Sequence, residues 1–346
     1  MTAVIHRNGS LLRDRLAQEN FRTARPFLAL LFACANVCSS VLSAQSNGGL
    51  FLLLPFGAHA VGQGEAVAAD TTLGSEGLWW NPAALARLPK KEFAFHDSRT
   101  IVATNDMIIF AVPSKALGTI TASAYQVNFG DQPLTVGNGD VAVGTITNRN
   151  YLFALSYASA IGKHFNIGVT GKYAMLQFKC SGSCGNVPNV SGKTYAVDIG
   201  AQYTVTTSIP FTLGAVIRNL GPDLQVKDKE QADPLPRLIQ VGAKVRMPIS
   251  ALADAGASLD LLADVQHAAA LTTDLIGALN VGASLGYHDQ LFIRGGYKSQ
   301  REGGGPSIGI GLERGAFGLD IARRFDALSS GIGGQTPTYV SLRARF

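Results

Sequence analysis

The sequence predicts a transmembrane antiparallel β-barrel of about 14 strands with an N-terminal plug or capping helix. Three observations predict this fold class. Apolar and polar residues alternate along most of the chain, the connections between the alternating segments are short and long in turn, and the chain ends in an amphipathic strand whose last residue is Phe346. Barrels that cross a membrane with strands share these features.

The composition is apolar, but it provides no spanning helix. Of the 346 residues, 47% are hydrophobic and only 15% are charged, which is an apolar balance for a soluble protein. No internal run reaches the roughly 18 uncharged apolar residues that a spanning helix needs. Strands whose residues face lipid and lumen in turn can cross a membrane without any long apolar run, which fits this composition.

Residues 1–44 are interpreted as a secretory signal peptide. A lead with five arginines precedes "PFLALLFACANVCSSVLSA" (26–44), whose small final residues form a peptidase site before Gln45. The alternatives are lipoprotein processing at Cys34 and a resident hydrophobic helix. Removal of 1–44 leaves 24 basic and 22 acidic residues, so the net charge falls from +5 to +2. No basic run remains to contact phosphates, which excludes nucleic acid as a partner.

Cys180 and Cys184 are the two cysteines outside the signal peptide, in "CSGSCG". Small residues separate them in an exported protein, which predicts a disulfide within a loop. Metal binding is a more specific alternative, but none of the six scattered histidines lies nearby in the sequence to supply further ligands. Free thiols are the third interpretation. We expect no metal and no cofactor.

Alternation of residue type defines the strands. In 195–205 the odd positions are apolar, and Asp198, Gln202 and Thr204 lie between them. The approximate bounds of all the segments are 93–98, 106–112, 118–127, 150–158, 164–175, 193–205, 210–219, 238–247, 258–266, 279–287, 290–297, 306–314, 316–323 and 338–346. A soluble antiparallel sandwich also alternates, but its polar face meets water and is rich in Lys, Glu and Thr. Here that face carries Gly, Ser, Asn and isolated charges.

The connections between the segments alternate in length. "SKAL", "SAIGK", "TTS", "HD" and "GA" are brief, whereas 128–149, 176–192, 220–237 and 324–337 are long. Transmembrane barrels keep their turns tight on the periplasmic side and extend their loops on the outer side. An even number of strands places both termini of the chain on the periplasmic side.

The segment "TYVSLRARF" (338–346) is expected to close the barrel. Closure is needed because an unpaired backbone N–H or C=O in hydrocarbon costs several kcal/mol. Phe346 is expected to act as the outer-membrane insertion signal that the barrel-assembly machinery reads. The residues expected to face lipid are Val340, Leu342, Ala344 and Phe346, and the tyrosines near strand ends, where aromatic girdles lie, are Tyr287, Tyr297 and Tyr339.

The inward positions of the predicted strands carry both signs of charge. The residues expected to face the lumen are Lys172, Asp198, Arg218, Lys244, Arg246, Asp260, Asp264, Arg294, Asp320, Arg343 and Arg345. Ion pairs among them would close the interior and favour a binding scaffold over an open pore. Structural pairing that serves the barrel alone is the alternative interpretation.

The segment "GLWWNPAALARL" (77–88) lies outside the alternation and holds both tryptophans. Asn81 is expected to cap a short helix that has Pro82 at its first position. Such a segment cannot lie in bulk lipid, so residues 45–91 are predicted to fold into the barrel mouth as a plug, and residues 92–346 to form the barrel. A capping helix on the periplasmic side is the alternative. The plug motif is Trp79, Trp80, Asn81 and Pro82.

Signatures of catalysis are missing from the sequence. It contains no G-x-S-x-G, no H-E-x-x-H and no Walker loop, and "GQGEAV" lacks the third glycine and the preceding strand of a dinucleotide fingerprint. The chain is not expected to be an enzyme, and no catalytic residue is assigned.

Several stretches resemble a known family. "FLLLPFGAHAVGQGEAVAAD" followed by "LWWNPAALARL" is similar to the N-terminal signature of the PorV/PorQ family, relatives of the FadL-type long-chain fatty acid transporters. "GAVIRNLGPDL", "DPLPRLIQVGAKV" and "LFIRGGYK" resemble recurring pieces of that family in the same order. The chain has "GQGEA" where the family often has "GMGGA", and Trp79 where a tyrosine is expected.

The resemblance implies an outer-membrane barrel with an N-terminal plug. For some members of the family it implies a role in the type IX secretion system, in which the barrel binds the C-terminal signal of secreted cargo proteins. The recognition surface would then lie in the long outer loops 128–149 and 220–237. The alternative is a FadL-like transporter for hydrophobic small molecules. The expected partners are outer-membrane lipid, the barrel-assembly machinery, and either secreted cargo proteins or a hydrophobic ligand.

Overall fold

The barrel is closed. The computed structural model describes residues 49–100, 102–135, 141–187, 189–225, 232–269, 277–300, 304–326 and 336–346. Within these residues, fourteen antiparallel strands each pair with their neighbours in sequence, and β1 pairs with β14. The predicted fold class is confirmed, and the soluble sandwich is excluded. The predicted signal peptide lies outside the described residues.

Each predicted segment corresponds to one strand. The strands are β1 (Glu92–Arg99), β2 (Thr104–Ser114), β3 (Gly118–Thr135), β4 (Ala142–Ile161), β5 (Phe165–Gly182), β6 (Val190–Val205), β7 (Phe211–Leu220), β8 (Arg237–Met247), β9 (Ala257–Ala269), β10 (Gly277–Tyr287), β11 (Leu291–Ser299), β12 (Gly305–Arg314), β13 (Phe317–Arg324) and β14 (Thr338–Arg345). Tight turns join β2 to β3, β4 to β5, β10 to β11 and β12 to β13 at one end of the barrel, which we call the turn end. The opposite end is the loop end.

The seam between the first and last strands is fully paired. Eight residue pairs join β1 to β14, from Glu92 opposite Arg345 to Arg99 opposite Thr338. This pairing removes both edges of the sheet, whose backbone groups hydrocarbon could not satisfy. The amphipathic tail is therefore the closing strand: Leu342 is 48% exposed on its outer face, and Arg343 is buried on its inner face.

Apolar residues cover the outside of the barrel. On β12, Ile308, Ile310 and Leu312 are about half exposed, while the residues between them are buried. Tyr287 and Tyr297 also face outward. Tyr339 does not belong to an aromatic girdle, because it shares the inward parity of Arg343 and is fully buried.

Four strands are much longer than a membrane crossing requires. β3, β4, β5 and β6 contain 18, 20, 18 and 16 residues, whereas about 9 to 11 suffice to cross a bilayer. Most of 128–149 and 176–192 is strand, so the assignment of these two ranges to loops is wrong. Pairing continues through them, with Gln132 opposite Ile146. Beyond the membrane both faces of a strand meet water, so no alternation of residue type marks it.

In the described part of the chain, five short helices precede β1. They are a 3-10 helix (Leu50–Leu53), α1 (Ala58–Gly62), a 3-10 helix (Gly74–Glu76), α2 (Gly77–Trp80) and a 3-10 helix (Pro82–Arg87). The Asn81 side chain accepts a hydrogen bond from the Ala83 N–H, and Pro82 occupies the first turn, as the sequence predicts. A further helix, α3 (Ser250–Asp254), lies between β8 and β9. None of the helices within these ranges is long and apolar enough to cross a membrane.

Candidate functional site

Residues 49–91, called the plug below, lie inside the barrel. α1 packs against β11 to β14, and the 3-10 helix Pro82–Arg87 packs against β3 to β6 on the opposite wall. Most plug residues from Phe51 to Leu85 are buried. Contacts with opposite walls place the segment within the lumen rather than beneath the barrel.

Glycines on the barrel wall make room for the plug. Gly64 of the plug has a φ of +65°, a conformation that L side chains rarely adopt. A Cβ at Gly296 of β11 would lie 2.1 Å from the Gly64 nitrogen, and a Cβ at Gly282 of β10 would lie 2.4 Å from the Gln63 carbonyl oxygen. Plug and wall therefore touch backbone to backbone, a contact that side chains at these positions would prevent.

Glu65 is the first charged anchor of the plug. Lys298 Nζ lies 2.5 Å from its Oε2, and Arg324 Nη1 lies 2.9 Å from its Oε1. Burial acts to raise the pKa of the Glu65 carboxyl, but the two facing cations outweigh it and lower that pKa. The carboxylate stays charged, and it ties the plug to β11 and β13.

Asp70 is the second anchor. Lys244 Nζ lies 2.8 Å from Asp70 Oδ1 and 3.0 Å from Asp260 Oδ2, and His59 Nε2 lies 3.1 Å from Asp70 Oδ2. Burial opposes the charge of Asp70, but Lys244 and His59 hold its pKa well below the usual value. Burial lowers the pKa of His59 to about 4, so this ring is neutral at neutral pH.

A third group of charges ties the plug to the seam. Arg345 Nε lies 2.6 Å from Glu92 Oε2, and Glu92 Oε1 accepts a hydrogen bond of 2.8 Å from the Ser75 N–H. Ion pairs extend this group around the turn end of the wall. Its other members are Arg294, Glu313, Asp320 and Arg343.

Glu76 differs from these anchors because, among the described residues, no lysine or arginine forms a salt bridge with its buried carboxyl. His96 Nδ1 lies 3.8 Å from Glu76 Oε1. The Ala60 N–H donates to Glu76 Oε2 at 3.3 Å. Burial raises the pKa of Glu76 to about 8, so the side chain is mainly protonated at neutral pH.

The predicted mixed-charge interior is confirmed. Lys172 pairs with Asp198 at 2.5 Å, and Arg246 pairs with Asp260 at 2.7 Å. Asp264 accepts a hydrogen bond from the Ala68 N–H at 2.7 Å. Pairing among buried groups is what makes such a charged interior tolerable.

An apolar cluster fills the other half of the lumen. Its aromatic centre is Phe56, Trp79 and Tyr125, with ring centroids 5.7 Å apart for Phe56 and Trp79 and 5.2 Å apart for Trp79 and Tyr125. Below, "apolar cluster" means these three residues with Phe51, Leu52, Trp80, Met107, Ile109, Val127, Leu152, Leu224 and Leu235. It lies against β2, β3 and β4 and reaches the β7–β8 connection at the loop end. The charged pairs lie mainly on β6 to β14.

The predicted plug motif lies at the boundary between the two halves. Trp79 is 1% exposed, and Lys172 Nζ lies 5.1 Å from its ring centroid. Trp80 Nε1 donates to the Phe56 carbonyl at 3.0 Å. The Asn81 side-chain amide donates to the Ala68 carbonyl at 2.6 Å, which fixes the path of the plug. A Cβ at Gly168 of β5 would lie 2.3 Å from the carbonyl carbon of Pro82, so this residue also touches the wall.

The other predicted site residues lie outside the lumen. Cys180 and Cys184 are joined by a disulfide at the loop end of β5, with an S–S distance of 2.10 Å. Phe346 lies at the turn end, is 64% exposed and stacks on Phe110. Its role as an insertion signal stays a prediction.

A polar cavity of about 490 Å³ opens at the turn end. Polar and charged side chains from the anchors and from the turns line it, among them His59, Arg246, Asp260 and Arg345. None of its lining residues belongs to the apolar cluster, so a boundary separates the two. Sequence analysis could not locate this boundary, because it depends on which strands face each other across the lumen.

No protein-family model matches the sequence, and no curated protein matches it significantly. Solved structures share its fold. The toluene transporter TbuX of Ralstonia pickettii is 12% identical with a TM-score of 0.56, over 86% of this chain and 100% of that one. The toluene transporter TodX of Pseudomonas putida is 11% identical with a TM-score of 0.55, over 83% and 96%. The monoaromatic hydrocarbon channel CymD is 12% identical with a TM-score of 0.54, over 87% and 99%.

The protein is an outer-membrane β-barrel. Its turn end is therefore periplasmic, and its loop end faces the cell exterior. The structural neighbours share the barrel fold that the resemblance in the sequence implies, and they do not show the PorV/PorQ family. At such low identity the likeness concerns the fold, and what the barrel carries or binds has to be argued from its own residues.

Proposed function

We propose that the protein carries hydrophobic small molecules across the outer membrane. The apolar cluster is the observation that carries this proposal. A water-filled pore has a polar lumen, whereas here Phe56, Trp79 and Tyr125 form a buried aromatic cluster inside the barrel. Apolar and aromatic linings are typical of sites for small hydrophobic ligands. The similar structures include a toluene transporter and a monoaromatic hydrocarbon channel, which agrees with this chemistry.

The position of the apolar cluster suggests a direction of transport. Phe51, Leu52 and Leu235 extend the cluster to the loop end and are buried there, so a ligand arriving from outside has to displace this packing before it enters the cluster. The anchors Glu65 and Asp70 then block the way to the periplasmic cavity. Release into the periplasm therefore requires the plug to shift, and ligand binding in the cluster competes with the packing that holds the plug in place.

Tryptophan fluorescence tests the proposal directly. The chain has two tryptophans, and both lie in the apolar cluster. Toluene and, separately, oleate should change this emission in a saturable way. Met107→Gln places an amide on the inward face of β2 and should weaken binding by about tenfold. The matched control is Met175→Gln, at an outward-facing position of β5. This variant should bind both compounds as the wild type does.

Two results would count against transport of this kind. Emission that is insensitive to both compounds up to their aqueous solubility would show that the cluster is only packing. Equal affinities of Met107→Gln and the wild type would place the ligand elsewhere. Uptake of radiolabelled toluene by cells that carry the barrel as their sole transporter of this type provides the transport measurement.

A cargo-binding scaffold of the PorV/PorQ type is the second candidate. Two observations favour it. The strands β3 to β6 extend beyond the membrane and form an outer projection, which carries the disulfide between Cys180 and Cys184. Ion pairs also close the interior of the barrel. Replacing 132–146 with a two-residue turn would shorten this projection without disturbing the membrane part. Loss of binding to C-terminal signal peptides of secreted proteins, with an unchanged tryptophan response to toluene, would favour the scaffold.

A further inference from the structure

A row of phenylalanines crosses the outer surface of the seam near the periplasmic end. Phe317 of β13 and Phe93 of β1 both lie opposite Ala344 of β14, and Phe93 also lies opposite Phe110 of β2. All three rings are well exposed to the membrane. Ala344 is thus a one-residue gap in an aromatic row that spans four adjacent strands.

The gap opens into a groove on the lipid-facing surface. The groove has a volume of about 400 Å³, within the range of roughly 300 to 1,000 Å³ that small-ligand sites occupy. Phe93 and Phe317 are its walls at the periplasmic end. From there it runs along the strands towards the middle of the membrane, over Phe95, Leu319 and Leu342.

An exposed cation, Arg314, lies at the periplasmic end of the groove. Arg314 is the last residue of β12, lies opposite Phe317 and is exposed. Its neighbour Glu313 points inward and pairs with Arg343 and Arg345. Within the described residues no carboxylate pairs with Arg314, so its guanidinium is available to an anion at the level of the lipid headgroups.

We propose that this groove binds one glycerophospholipid of the periplasmic leaflet, with an acyl chain between Phe93 and Phe317 and the phosphate on Arg314. The order of the lining supports a lipid over a free hydrocarbon. Its cation lies at the membrane surface and its apolar floor extends inward, which is the order of headgroup and chain in a phospholipid. The site lies outside the lumen and does not depend on the transport proposal.

Native mass spectrometry of the detergent-purified barrel tests this site. The probes are phosphatidylglycerol and a diacylglycerol with the same chains. The wild type should retain one phosphatidylglycerol in preference to the diacylglycerol. Ala344→Phe fills the gap and should weaken retention by about tenfold. Arg314→Gln should weaken it by about fivefold and remove the preference for the phosphate.

Two control variants make the same changes elsewhere. Ala283→Phe adds a ring to an outward alanine on β10, which is not one of the strands that line the groove. Arg323→Gln removes an outward cation from the other end of β13. Both controls should retain phosphatidylglycerol as the wild type does. The shift in gel mobility on heating confirms that each variant is folded, and if Ala344→Phe does not fold, Phe93→Ala removes a wall instead.

Several results would overturn the assignment. Unchanged retention in both Ala344→Phe and Phe93→Ala would show that the groove is not the site. Equal losses in Ala283→Phe would show that retention is unspecific. Equal retention of the two probes by the wild type would remove Arg314 from the site, and displacement of phosphatidylglycerol by stoichiometric toluene would make the groove a hydrocarbon site.

Discussion

Lys244 of β8 lies 2.8 Å from Asp70 of the plug, so a cation of the barrel wall holds a carboxylate inside the lumen. The same Nζ lies 3.0 Å from Asp260 of β9. One buried ammonium group thus joins two strands and the plug. Such a contact resists movement of the plug more specifically than apolar packing does, because removal of one partner leaves a charge buried without compensation.

Lys244→Met should therefore loosen the plug. Breaking a buried ion pair on one side costs about 3 to 5 kcal/mol, and here the cost can be avoided if Asp70 moves towards water. We expect frequent opening events of this variant in planar bilayers, and little conductance of the wild type. Lys163→Met, in the exposed β4–β5 turn, is the control and should behave as the wild type does.

The double variant Asp70→Asn/Lys244→Met refines this test. Removing both charges leaves no uncompensated ion at this anchor, so the double variant should conduct less than Lys244→Met alone. If the single and double variants conduct equally, Asp70 is not the group that moves. If neither differs from the wild type, the ion pair does not hold the plug.

Substitutions at two adjacent glycines, Gly296 and Gly295, test the contact between plug and wall. A Cβ at Gly296 would lie 2.1 Å from the Gly64 nitrogen, whereas a Cβ at Gly295 would meet nothing within 4 Å. Gly296→Ala should displace the plug, lower the temperature at which the barrel unfolds on gels, and cost about 1 to 3 kcal/mol. Gly295→Ala should leave the temperature unchanged or raise it slightly. Equal temperatures for the two variants would contradict the backbone contact.

The sequence predicts the barrel well where the membrane imposes alternation, and less well where it does not. The outward and inward sets of β14 could be read from "TYVSLRARF", and the inward charges, such as Asp320, from the same parity. Residues 131–134 form strand outside the membrane, where both faces meet water, so their pattern carries no signal. The partners of Asp70 depend on distant strands that face each other across the lumen, which parity alone cannot determine.

The cysteine pair gives a prediction with a simple mass readout. Under non-reducing conditions the mature protein should take up no maleimide, because Cys180 and Cys184 are joined. After reduction it should take up two maleimides. Four adducts would show that residues 1–44, with Cys34 and Cys38, are retained, and labelling before reduction would contradict the disulfide.

Glu76 predicts how stability depends on pH. Burial raises the pKa of its carboxyl from 4.5 to about 8, so between these two values the folded state binds a proton that the unfolded chain has released. The contribution of Glu76 to stability is therefore fully present below about pH 4.5 and is lost as the pH rises through 8. Glu76→Gln keeps an uncharged side chain of similar size and removes this dependence.

The measurement is urea unfolding followed by tryptophan emission, from pH 5 to pH 9, for the wild type and Glu76→Gln. The free energy of unfolding of the wild type should fall relative to that of the variant as the pH rises, by at most about 1.4 kcal/mol per pH unit. Contributions from His59 and from the charged anchors cancel in this difference, since both proteins contain them. The control is Asp223→Asn, at an exposed carboxylate of the β7–β8 connection. Its free energy of unfolding should change with pH as that of the wild type does. Parallel curves for Glu76→Gln as well would mean that water or a cation reaches the carboxyl and that the plug is less tightly packed around α1 than its buried neighbours indicate.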